Sequence, residues 1–142
     1  MQSCSISPRE ALEYKTIAVV GASNNTDKEA HIVPAYLQQH GYRIIPVNPT
    51  ADVILGKKAY PSILELPEDL AREVEVVEVF RPSEELPAVA RQVASMKERY
   101  GRPFVFWAQL GLENDDAKKI LADSRIPYVM NRCMKIEHKA MG

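Results

Sequence analysis

Cys133 and His138 stand five residues apart near the C-terminus, and there a nucleophile and a base lie close in sequence. A neighbouring imidazole can hold a cysteine as thiolate, the form that attacks. The spacing alone does not bring the two side chains together, so a cysteine that packs inertly or lines a ligand is the plainer reading. His31 and His40 are nine apart, not at the i, i+4 spacing of a helical metal pair, and no metal site is expected. Glu113, Asp115 and Asp116 collect where a helix should open, a place that favours negative charge without any catalytic role. Cys4 and Cys133 form no CxxC set, which fits a reducing, cytoplasmic setting rather than a disulfide scaffold.

A second chemistry is phosphate binding. The β-forming run Thr16 to Val20 stops at Gly21-Ala22-Ser23 and gives way to a helical pattern. Backbone amides at a helix start, with the helix dipole, hold anions without needing a particular side chain. The Ser23 hydroxyl and the Lys28 ammonium can add to them, and Lys57 (with Lys58) offers a second contact. The dinucleotide fingerprint GxGxxG asks for more: a second glycine where backbone meets pyrophosphate, and an acid ending the next strand. This chain has Ser23 at the first of those positions and Asn48, between Val47 and Pro49, at the other. Phosphate binding survives and NAD ribose binding is disfavoured, with an NAD(P)-dependent oxidoreductase kept as the alternative.

These residues need elements to carry them. The chain has 142 residues, enough for one domain with a real core. A charge of −1 gives no global attraction to nucleic acid or an anionic membrane. No apolar run approaches the ~18 residues of a membrane span. Strand-like runs (TIAVVG, YRIIPVNP, VEVVEVF, PFVFWAQLG, PYVMN) alternate with helical ones, and SILELP suggests one or two turns. Helix one is expected to begin between Ala30 and Val33, so that Pro34 falls near its first turn. Ser83 is expected to cap the helix whose buried face is Leu86, Val89, Val93 and Met96. Trp107 and Phe106 read as core, and the tail from Arg132 shows no clear period. An edge strand and apolar Met134 and Ile136 would allow a homodimer.

The order predicts an α/β fold: a single Rossmann-like, doubly wound, mostly parallel five-stranded sheet with helices on both faces, its core at about residues 16–138. Ligands of such sheets bind at the carboxyl ends of the strands. The unusual residues collect there: Gly21-Ala22-Ser23, Asn48-Pro49, Phe80-Arg81-Pro82, Gln109-Leu110-Gly111 and Asn131-Arg132-Cys133.

Taken in order, IAVVGAS, YLQQHGYRIIPVNP, ILGKKAYPSI, VEVVEVFRPSE, FVFWAQLG and NRCMKIEH resemble the CoA-binding-domain proteins. These have a Rossmann-like fold similar to the N-terminal domain of the succinyl-CoA synthetase α subunit. The resemblance spans Thr16 to His138 and implies coenzyme A or an acyl-CoA as ligand. It implies that Gly21, Ala22, Ser23 and Lys28 hold phosphate while Asn48 and Pro49 line the crevice. Phe80, Arg81 and Pro82 would lie near adenine, Gln109, Leu110 and Gly111 along pantetheine, and Cys133 near the thiol. The chain departs from the family at Glu29-Ala30-His31, at Thr50, where lysine is usual in the synthetase domain, and at Asn131, where aspartate is common. The synthetases do their chemistry with a phosphohistidine on a further domain. The resemblance therefore points to a non-catalytic carrier, sensor or partner module, the other readings being the oxidoreductase and an acyl-CoA enzyme using Cys133.

Overall fold

The computed structural model describes residues 5–141. Ser7 and Glu10 form a reciprocal capping box that opens α1 (Pro8–Ala11). There follow β1 (Thr16–Val20), α2 (Glu29–Gln39), β2 (Arg43–Val47), a hairpin of β3 (Val53–Ile54) and β4 (Lys57–Lys58), α3 (Glu68–Ala71) and β5 (Val76–Val79). The chain continues through α4 (Leu86–Tyr100), β6 (Val105–Ala108), α5 (Asp115–Asp123), β7 (Tyr128–Val129) and α6 (Met134–Ala140).

The main sheet is parallel throughout, in the order β2-β1-β5-β6-β7. A parallel sheet must be covered on both faces, and the β-branched runs read from the sequence are those of strands buried on both sides. Ala18, Val20, Val77, Val79, Phe106 and Ala108 face α4 and α5, with α3 at the margin. Ile17, Val19, Val76, Val105 and Trp107 face α1, α2 and α6. Phe106 and Trp107 are fully buried, one on each face. The direction of the chain reverses between β1 and β5, which makes their carboxyl ends the switch point where open α/β sheets bind ligands.

The expected sheet, core face of α4 and helix-strand order hold. Three local expectations are corrected, and the short helical turn expected at SILELP is present. The tail beyond Arg132 forms α6, packed on α1 and α2, and Met134 is wholly buried in the core, unavailable to a dimer. The turn expected at SILELP is a 3-10 turn, Ile63–Glu65, with α3 behind it. Ser83 does not cap α4; its Oγ accepts from the N–H of Glu113 and its carbonyl from the amide of Asn114, tying two rim loops together. Helix α2 starts at Glu29, so Pro34 lies well inside it. A proline there leaves the carbonyl four residues earlier without its helical donor. That carbonyl belongs to Ala30, and the N–H of Ser23 takes it at 3.2 Å.

Among the described residues no helix is long and apolar enough to cross a membrane.

Candidate functional site

The loop after β1 meets groups from three other segments. Gly21 adopts φ +87°, and a Cβ there would sit 2.9 Å from the carbonyl oxygen of Phe80 and 3.1 Å from the Arg81 side chain. The glycine is required by the close approach of β1 and β5 at the switch point. Asn48 donates through Nδ2 to the Ala22 carbonyl (2.9 Å), while its Oδ1 accepts from the N–H groups of Thr50 and Ala51 (2.8 and 3.0 Å). Both ends of the amide are committed to the fold. His31 donates from Nδ1 to the Ser23 carbonyl at 2.8 Å. The Ser23 hydroxyl oxygen accepts from the N–H of Asn25 (3.0 Å) and keeps its own proton free for a further acceptor.

Beside this loop, on the α2/α6 face, lies a cavity of about 640 Å³ lined by Lys28, Glu29, Ala30, Phe80, Arg81, Pro82, Gln109, Leu110, Leu112, Cys133 and Ile136. The strand order arranges these residues. Lys28, Glu29 and Ala30 follow β1, Phe80 to Pro82 follow β5, Gln109 to Leu112 follow β6, and Cys133 and Ile136 follow β7. The charged lining is therefore on the β1/β5 side and most of the apolar lining on the β6/β7 side. Glu29 and Ala30 open a helix, where the first N–H groups have no intrahelical acceptor. The Lys28 ammonium pairs with no carboxylate among the described residues, whereas Arg81 is held by Glu85 at 2.7 Å.

Seven of the sequence-derived candidates meet in this cavity: Lys28, Phe80, Arg81, Pro82, Gln109, Leu110 and Cys133. Gly21 and Pro49 line a smaller cavity of about 260 Å³ on the α4 face, which shares Arg81 with the first. Ala22 is buried, and Gly111, at φ +88°, donates its N–H to Asn131 Oδ1 at 2.7 Å. Lys57 lies on β4, beside Arg43 and Tyr60, and lines neither rim cavity. Cys133 is 6% exposed, on a loop fixed by the Trp107 indole N–H to the Arg132 carbonyl (2.8 Å). The Nδ1 of His138 is 2.7 Å from the Tyr36 hydroxyl, so the imidazole engages α2.

The sequence reading missed two features of this face. Glu78, in the middle of β5, is fully buried between Val19 and Trp107 in register, and neither carboxylate oxygen has a hydrogen-bond partner. Burial pushes its pKa up to about 8, so the group is a neutral acid at neutral pH. Gln109, next along the same face, is 5% exposed and its Oε1 is likewise unpartnered. A glutamate inside an otherwise β-branched strand was the available signal. The second feature is the wall formed by Glu29, Ala30, Leu112 and Ile136, whose positions depend on how α2 and α6 dock.

Among the described residues there is no group of three histidines, cysteines or acids able to hold a metal. The arrangement suits a ligand that is anionic at one end and apolar at the other.

A family model described as a CoA binding domain matches residues 15–139. The uncharacterized protein YneT of Bacillus subtilis is 41% identical over 124 residues, 87% of this chain and 85% of that protein. The ADP-forming acetate–CoA ligase II of Archaeoglobus fulgidus is 38% identical over 88 residues, which make up 61% of this chain and 12% of the ligase. The solved structure of a hypothetical protein from Pyrococcus horikoshii OT3 superposes with a TM-score of 0.84 at 32% identity, covering 100% of both chains. By sequence and by fold, the chain belongs to the CoA-binding domain family.

Proposed function

We propose that the protein binds coenzyme A or an acyl-CoA in the larger rim cavity and acts as a carrier or sensor module rather than a catalyst. The observation that carries this reading is the order of the cavity lining. The start of α2 and Lys28, which pairs with no carboxylate among the described residues, offer an anion site on one side, and mostly apolar side chains following β5, β6 and β7 line the rest. Coenzyme A has that layout, with phosphates at one end and an uncharged pantetheine arm ending in a thiol. In this reading Lys28, Ser23 and the first amides of α2 hold phosphate, Phe80 and Pro82 flank the nucleotide, and Gln109 and Leu110 follow the arm toward Cys133.

The alternative dinucleotide reading has no support in the site. NAD recognition uses an acceptor at the end of β2 for the ribose hydroxyls. Asn48 occupies that position with its Oδ1 already accepting from Thr50 and Ala51.

Thermal unfolding with CoA, acetyl-CoA, NAD and NADP tests the assignment. A ligand at a hundredfold excess over its Kd stabilises by about 2.7 kcal/mol, which a midpoint shift reports directly. Stabilisation by CoA that weakens on Lys28→Ala supports the proposal. Stabilisation by NAD or NADP with none by CoA would overturn it.

A further inference from the structure

Large apolar side chains left in water are informative when they gather at a cavity. Among the described residues the exposed large apolar side chains are Val53, Leu64, Leu110 and Ile136, and the last two, 57% and 56% exposed, line the same cavity. Both belong to its β6/β7 side, with Leu112 and the buried Cys133 beside them. Lys28 reaches the cavity from the β1 side, so the anion site and this apolar end lie on opposite sides of its lining.

The charges near that end are already paired or turned away. Arg132 lies 3.6 Å from Glu137, and the Lys135 ammonium sits over the Tyr36 ring, 5.7 Å from its centroid. An acyl group ending in a carboxylate would find no cation among the lining residues that follow β6 and β7. A group without charge would cover Leu110 and Ile136. Because both side chains line a cavity rather than a flat face, the occupant must be narrow enough to enter it.

We infer that the cavity is built for an acyl-CoA whose acyl group is a short, uncharged aliphatic chain, seated on Leu110, Leu112 and Ile136. This rests on the coenzyme reading above and adds the class of acyl group to it. It assigns Leu110 and Ile136 the selection between aliphatic and dicarboxylic thioesters.

Calorimetric titration with CoA, acetyl-CoA, butyryl-CoA and succinyl-CoA tests it, the last two having acyl chains of equal carbon number. Each fully covered methylene contributes about fourfold in affinity, and a half-covered one about twofold. Butyryl-CoA is therefore expected to bind roughly four to sixteen times more tightly than acetyl-CoA, and succinyl-CoA no more tightly than CoA. In a Leu110→Ser/Ile136→Ser variant, whose changes are both at exposed side chains, the butyryl-to-acetyl ratio should fall toward one whatever the affinity for CoA. CoA binding with no gain from acetyl to butyryl, or tighter binding of succinyl-CoA than of butyryl-CoA, overturns the inference and leaves the coenzyme reading standing. The same holds if the double substitution changes only the oligomeric state and not the ratio, since the patch then belongs to a protein contact. Failure of CoA and all three thioesters to bind overturns the coenzyme reading itself, and this inference with it.

Discussion

The side-chain amide of Asn48, at the end of β2, donates to the carbonyl of Ala22 in the loop after β1, 2.9 Å away. The two residues are 26 positions apart, and their bond fixes the floor of the rim where the two strand ends meet. The same amide's oxygen closes the turn at Thr50 and Ala51. A position that carries a ribose-binding acid in a dinucleotide enzyme is here a structural bolt.

Asn48→Asp isolates the donor half of that bolt, because a carboxylate keeps the acceptor for Thr50 and Ala51 but faces the Ala22 carbonyl with a second acceptor. Leaving buried polar groups opposed costs about 1–3 kcal/mol. Urea unfolding at neutral pH, where the new acid is a carboxylate and cannot donate, should show the variant less stable than wild type by that amount. Equal stability of the two proteins would show that the donor bond is not what matters.

Gly21→Ala tests the close approach of β1 and β5. The new methyl group meets the Phe80 carbonyl at 2.9 Å, and the φ of +87° is unfavourable for any side chain. Gly56 has a comparable positive φ, +73°, but nothing within 4 Å of its missing Cβ. Gly56→Ala should therefore cost about 1–2 kcal/mol, the price of the backbone conformation alone. Gly21→Ala should cost clearly more and also weaken ligand binding, since Arg81 must move. Equal losses of stability in the two variants would mean that the strand ends can separate freely.

The strands were legible because a doubly covered parallel strand leaves a strong local mark, a β-branched run closed by turn residues, as at Ile17 to Gly21. The stripe Leu86, Val89, Val93 and Met96 made α4 equally plain. Helix α6 was not legible. Of its two large apolar residues, Met134 enters the core and Ile136 stays 56% exposed, so no stripe forms. Asn48 could be placed at a strand end, but its partner Ala22 is brought to it only by the pairing of β1 with β2. The shared rim was readable from the alternation of elements. The walls that α2 and α6 add to it were not, because helix docking leaves no local pattern.

Glu78 gives the fold a pH dependence of its own. Its pKa is 4.5 in its ordinary state and about 8 when buried in β5. The folded protein therefore holds a proton that the unfolded chain releases, and the stability associated with it is complete below about pH 4.5 and lost as pH rises through about 8. Glu78→Gln keeps the shape and removes the titration. Relative to wild type it should gain stability steadily from mildly acidic to alkaline pH, with an upper bound of about 5 kcal/mol for that interval. Unfolding midpoints measured across this range should converge at the acid end. Parallel curves for the two proteins would mean that Glu78 is ionised and solvated in the native state.

The second pH-sensitive contact joins the two helices that wall the cavity. Tyr36 of α2 stacks on His40 at 4.1 Å between centroids, and its hydroxyl lies 2.7 Å from Nδ1 of His138 in α6. The His138 ring is also edge-on to Tyr42, while the ammonium groups of Lys135 and Lys139 lie over Tyr36. Burial, and then the charges of His40 and Lys15, lower the His138 pKa from 6.5. The unfolded chain thus takes up a proton before the folded one does, and stability is present above pH 6.5 and lost as pH falls below it. His138→Phe removes both the titration and the bond to Tyr36. It should be less stable than wild type at alkaline pH, by about 0.5–1.5 kcal/mol for the lost hydrogen bond, yet lose less on acidification. Hydrogen exchange should place the acid-induced opening in α6, beginning at the end that carries His138, with the core amides of β1 and β5 still protected. An acid loss of the same size in both proteins would sink the assignment to His138.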